Sequence, residues 1–230
     1  VLCLDYRGRG NSDHDKNWEN YNVLTEADDV VQGLIAAGLE HAHFIGTSRG
    51  GMIIMMLAAM KPTLLTSVIM NDIGPEIDGP GLVRIKKMLE SGSDAANWSE
   101  AAAAIKSTGQ RDFPKRDDGE WERQAKLIFK EDGGKLIRNY DPKLVNTVKA
   151  IDLDVPLPSL WPQFTGLSKI PLMLIRGDNT DLLSEKTVEK MREVHSSMEY
   201  ISVKDQGHAP DLGSDGLPQK IGTFLDRQTA

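Results

Sequence analysis

The chain has 230 residues, 40% apolar and 27% charged, which is enough to bury the core of one large domain. Thirty-four acidic against twenty-seven basic side chains give a net charge of −7, which argues against a surface that binds nucleic acid. The single cysteine, Cys3, excludes an internal disulfide or a cysteine zinc cluster and makes a reducing, cytoplasmic compartment the default, while no apolar run reaches the roughly 18 residues of a membrane span.

Val1-Leu2-Cys3-Leu4 opens the chain without Met or a polar lead-in. It predicts a buried strand over 1–5, in a chain that begins partway through a domain. A loop rich in Gly and charge follows to Glu19. From Thr25 the period changes: Val30, Val31, Leu34 and Ile35 share one helical face, Asp28 and Asp29 the other, and Gly38 is a plausible stop. His43-Phe44-Ile45 reads as a second strand ending at Gly46. A helix rich in Met, Ile, Leu and Ala then runs from Arg49 to Met60, and Pro62 stops it. Leu65 to Met70 is a third strand.

Residues 74–166 interrupt this alternation with helical patterns near 81–91, 97–107, 118–131 and 142–150, an all-helical insert that reads as a lid. Its aromatic residues, Trp98, Phe113, Trp121, Phe129, Trp161 and Phe164, are expected mostly to fill the insert's own core, with one or two facing a substrate pocket. Beyond it, Pro171 to Ile175 is a fourth strand, Ser184 to His195 a helix, Tyr200 to Val203 a fifth strand and 216–227 a closing amphipathic helix. Strand and helix in alternation predict an α/β fold: a mostly parallel, twisted sheet flanked by helices. The core then comprises 1–73 and 167–230, with a helical cap at 74–166.

The sharpest chemical signal is Gly46-Thr47-Ser48-Arg49-Gly50, a G-x-S-x-G between a strand and a helix. Such a turn pushes a serine hydroxyl clear of its neighbours, and the helix start offers N–H groups to developing negative charge. Ser48 is the candidate nucleophile, and it needs a base. Of five histidines, His14 lies in a charged loop, His41 and His43 border the second strand, and His195 ends a helix. His208, in Gly207-His208-Ala209-Pro210, follows a strand directly, at the end of a parallel sheet where sites form. A carboxylate must orient that imidazole. Asp178 and Asp181 qualify by position after the fourth strand, and either could instead cap the next helix, although Ser184 is itself a good cap. Asp72, just past the third strand, is a further candidate, or else a turn residue beside Asn71 and Gly74.

The order Ser48, Asp181, His208 and the strand–elbow–helix arrangement resemble the α/β-hydrolase superfamily. Asp5-Tyr6-Arg7-Gly8-Arg9-Gly10-Asn11-Ser12-Asp13 is similar to its D-x-R-G-x-G-x-S-D segment, Asn71 to Pro75 to the entry of its helical cap, and Gly207 to Pro210 to its G-H-x-P loop. Arg176-Gly177 through Leu183 resembles the acid loop of members whose aspartate falls four residues after the glycine, which implies Asp181 rather than Asp178. The resemblance further implies an oxyanion hole that includes the backbone N–H of Arg49. No His-Gly dipeptide occurs in the sequence, so on the family plan the second donor and the first strands lie outside it. A fragment of a longer protein, or a second copy in a homodimer covering the sheet edge, would account for that.

The activity so implied is that of a serine esterase or lactonase acting on a small-molecule acyl substrate, with no metal or cofactor. Two alternatives keep the same residues: carbon–carbon bond hydrolysis of a keto acid, and a non-catalytic ligand-binding module. The Arg49 guanidinium is expected to meet either a substrate carboxylate or an acidic surface group.

Overall fold

In the computed structural model, residues 1–90, 95–152, 155 and 157–229 are described. The elements in chain order are α1 (Val23–Ala36), β1 (Ala42–Thr47), α2 (Arg49–Met60), β2 (Leu65–Asn71), α3 (Gly79–Glu90), α4 (Trp98–Gly109) and α5 (Asp118–Ile128). They continue with β3 (Phe129–Asp132), β4 (Lys135–Arg138), α6 (Val145–Lys149) and α7 (Trp161–Thr165). The last four are β5 (Leu172–Gly177), α8 (Glu185–Val194), β6 (Glu199–Val203) and α9 (Leu217–Thr229). Residue 91 of the expected 81–91 helix lies outside the described residues.

The chain divides into two compact units, Val1–Asn22 with Val83–Asp152, and Val23–Leu82 with Leu153–Ala230. The second unit holds a four-stranded sheet in the order β1-β2-β5-β6, every pair parallel. Its two central strands, β2 and β5, are apolar runs buried nearly throughout, as a sheet covered on both faces requires. Val68, Ile69, Met70, Leu174 and Ile175 are fully buried, each contributing about 1.5–3 kcal/mol of hydrophobic transfer. On one face Leu217, Ile221 and Phe224 of α9 pack on Ile69, Met173, Ile175 and Val203. α1 turns Ala27, Val30, Val31 and Leu34 inward, whereas Ile35, expected on that face, is 65% exposed.

The first unit has its own core. Trp121, Phe113 and Phe129 cluster with Ala101, Ala102, Ala125 and Leu136, with Trp98 packed against them. Four of the six aromatics expected to fill the insert's core therefore do so. Phe164 is fully buried, and Trp161 donates from Nε1 to Glu76 Oε1 at 2.7 Å; both belong to the other unit.

Two expectations are corrected. The predicted 118–131 helix ends at Ile128, and β3 and β4 form an antiparallel hairpin inside a segment expected to be all helical. The cause is Gly133-Gly134, with φ of 55° and 79°, a pair that accepts the left-handed conformation a tight hairpin needs. Residues 1–5 form no strand: Leu2 and Leu4 are exposed, with no ladder to any described strand. The Asp5 side chain instead accepts from the Asn11 amide at 2.9 Å and its carbonyl from the Ser12 hydroxyl at 2.7 Å, so the segment folds as a turn. That turn joins the Val83–Asp152 segment through backbone bonds from Gly10 to Asn139 and from Asp141 to Gly8, of 3.0 and 2.7 Å.

Candidate active site

Ser48 sits between β1 and α2 with φ of 51° and ψ of −116°, a conformation that costs a non-glycine residue of order 1–3 kcal/mol. Its neighbourhood must be small for the turn to close. A Cβ on Gly46 would fall 2.6 Å from the Gly50 carbonyl carbon and 2.7 Å from its oxygen. The turn is tied to the next strand by the Ser48 N–H, which donates to the Asn71 carbonyl at 2.9 Å. Although Ser48 occupies the N-cap position of α2, its hydroxyl makes no capping bond.

That hydroxyl lies 2.7 Å from His208 Nε2, and His208 Nδ1 lies 2.8 Å from Asp72 Oδ2. A carboxylate only accepts, so Nδ1 carries the proton and Nε2 presents its lone pair to the hydroxyl. The imidazole is 9% exposed and the Asp72 side chain not at all. Burial without partners would be costly for a carboxylate, but Asp72 also accepts from the Gly177 N–H at 3.0 Å and the Thr180 hydroxyl at 2.6 Å. The loop bearing His208 is held from two sides. The Asn179 N–H donates to the Gln206 carbonyl at 2.9 Å, and Asn71 Nδ2 to the Pro210 carbonyl at 3.0 Å.

Of the sequence-predicted residues, Ser48 and His208 meet and Asp181 does not join them. The carboxylate at the imidazole is Asp72 and not the expected Asp181. β1 and β2 pair in parallel with Thr47 opposite Asn71, so Ser48 and Asp72 stand side by side, one residue past the ends of neighbouring strands. Asp72 turns its chain there with φ of 57°, which aims the side chain at the β5–α8 loop. Asp181 instead uses its carbonyl to accept from the Gly81 N–H at 3.0 Å, and Asp178 accepts from the Ser202 hydroxyl. The sequence did hold a signal for Asp72: it follows an apolar strand directly, as Ser48 does.

The other histidines have local partners. His195, 2% exposed, donates from Nε2 to the Ile170 carbonyl at 2.8 Å. His43 and His41 bond Ser67 and Thr66 on β2, at 2.7 and 3.1 Å. Arg49, at the start of α2, reaches back to α1, where its Nε bonds the fully buried Glu26 carboxylate at 2.6 Å. The expected acidic partner of this guanidinium is thus an interior group rather than a surface one. Among the described residues no group of three or more His, Cys, Asp or Glu is disposed to hold a metal ion, and no helix is long and apolar enough to cross a membrane.

Known proteins share this architecture. The chain is 28% identical over 219 residues to the 3-hydroxybutyrate-oligomer hydrolase of Cupriavidus necator, covering 91% of this chain and 73% of that protein. It is 24% identical over 227 residues to the 2-(acetamidomethylene)succinate hydrolase of Mesorhizobium japonicum, covering 98% and 78%. The crystal structure of an alpha/beta hydrolase from Novosphingobium aromaticivorans superimposes with a TM-score of 0.87 at 32% identity, covering 97% of this chain and 78% of that one. The family model for the alpha/beta hydrolase fold matches residues 1–210. A parallel sheet with a serine elbow, and sequence likeness across nearly its whole length, make this chain a member of the alpha/beta hydrolase fold family.

Proposed function

We propose that the chain is a serine hydrolase cleaving a small carboxylic ester or lactone through an acyl-enzyme on Ser48, with His208 as base and Asp72 as acid. The observation that carries this reading is the unbroken relay from Ser48 Oγ through His208 to Asp72, with links of 2.7 and 2.8 Å. Ser48 Oγ attacks the substrate carbonyl while Nε2 takes its proton. Asp72 holds the imidazole in the tautomer that can accept, and stabilises the imidazolium that forms. The oxyanion lies at the start of α2, where the Arg49 amide and the positive end of the helix favour negative charge. His208 then protonates the departing alcohol, and water repeats the sequence to release the carboxylic acid and free Ser48.

One relative supports an ester over a carbon–carbon bond. The Cupriavidus necator protein is named for an oligomer of 3-hydroxybutyrate, and units of a hydroxy acid condense through ester links.

The decisive measurement joins labelling to turnover. A fluorophosphonate probe should modify Ser48, and p-nitrophenyl butyrate should be hydrolysed in preference to a vinylogous diketo acid. Ser48→Ala and His208→Ala should each abolish both labelling and turnover while the circular dichroism spectrum stays unchanged. A folded parent chain that resists the probe would point to a ligand-binding module, and a preference for the diketo acid to carbon–carbon cleavage.

A further inference from the structure

The unit formed by Val1–Asn22 and Val83–Asp152 contains a cavity of about 410 Å³ that has no part in the relay. Lys130, Arg138 and Lys149 line it together with His14, against one carboxylate, Glu90. The remaining wall is largely apolar, including Leu89, Ile137 and Val145. In a chain of net charge −7, three fixed cations around one hollow run against the overall balance. None of the three is ion-paired to a described residue.

Arg138 is the most telling of them. Its guanidinium lies over the buried Phe129 ring at 4.6 Å, which fixes its plane, and its Nε is buried with no hydrogen-bond partner. Converging like charges repel, and a bound anion relieves the repulsion. We propose that this cavity binds a small organic anion, a carboxylate carried on a short aliphatic body. The planar guanidinium matches the two carboxylate oxygens, Lys130 and Lys149 add charge, and the apolar wall takes the hydrocarbon.

Hexanoate is the probe, followed through the His14 Hε1 resonance of the intact chain by NMR. Saturable shifts with a dissociation constant of about 0.1–1 mM are expected, the range for one charge-assisted contact plus a short apolar body. Arg138→Gln should weaken binding at least tenfold, and hexanol should leave the resonance in place. Should Arg138→Gln fail to fold, the Lys130→Gln, Lys149→Gln double variant alters only exposed side chains and should weaken binding at least threefold. Ester hydrolysis should stay within twofold of the parent in each variant. Unchanged hexanoate affinity in these variants, or equal binding of hexanol, would overturn the proposal. So would loss of hydrolysis together with binding, since hexanoate would then be reporting on the Ser48 site.

Discussion

Asp72 carries three donors, from Gly177, Thr180 and His208, while shut away from solvent, so its charge is balanced only as long as the set is complete. Asp72→Asn keeps the shape but favours the wrong imidazole tautomer; kcat on an aryl ester should fall by about 10⁴. Asp181→Asn should change kcat by less than about threefold, because no link of the relay passes through it. Steady-state kinetics of the two variants decide the acid assignment between them. A second residue-level dependence lies at Arg49. Arg49→Met would remove the guanidinium bonded to the buried Glu26 carboxylate and should cost about 3 kcal/mol, read as a lower urea midpoint at unchanged slope. The meeting of Ser48 with His208 was legible because an elbow and a loop after a strand mark the same end of a parallel sheet. Asp72 was a candidate but stood behind Asp181, because the pairing of Thr47 with Asn71 is a property of strand register, which one-dimensional spacing does not encode.

At the level of elements, the aromatic cluster of α4, α5 and the β3–β4 hairpin carries the stability of its unit. Trp121 is 2% exposed, with Phe113 edge-on at 6.3 Å between ring centres. Trp121→Ala should cost about 3–5 kcal/mol by thermal or urea unfolding, the range for deleting a large buried ring. Helix limits were readable where chemistry marks them. Ser184 caps α8 by accepting from the Thr187 N–H at 3.3 Å, and Asp117 with Glu120 closes a capping box on α5. The hairpin escaped notice because its strands are only four residues each, with charged side chains that blur any alternation. Only Gly133-Gly134 announced it.

Over the whole molecule, the grouping of Val1–Asn22 with Val83–Asp152 joins segments that are distant in the chain, and Tyr21 is one of the fastenings. Its hydroxyl donates to the buried Asp141 carboxylate at 2.5 Å. Burial would raise Asp141, but the bonds from Tyr21 and the Lys143 amide outweigh it and hold the carboxyl below its ordinary value of 3.8. Burial, and then the bond to Asp141, push the Tyr21 phenol above its ordinary 10.0. The signs follow from which state binds protons more tightly. Asp141 contributes stability above pH 3.8 that is lost as pH falls through its lower folded value. Tyr21 contributes stability below pH 10.0 that is lost as pH rises through its higher one. Tyr21→Phe should therefore lower the urea midpoint between those limits and converge with the parent at both extremes. The parallel sheet and its helices were readable from alternation alone, since each strand is a short apolar run. The discontinuous unit was not, because backbone bonds between Gly8, Gly10 and residues near 140 leave no trace in composition.

The 2.6 Å contact between the Thr180 hydroxyl and Asp72 also bears on how such a molecule could drift over generations. Thr180, in the loop after β5, touches the carboxylate that holds the imidazole, so a negative charge placed at residue 180 would start beside the one just past β2 without the histidine changing its post. Thr180→Asp placed in the Asp72→Asn variant should recover a measurable part of the turnover that the first change removes, read by steady-state kinetics of the double variant.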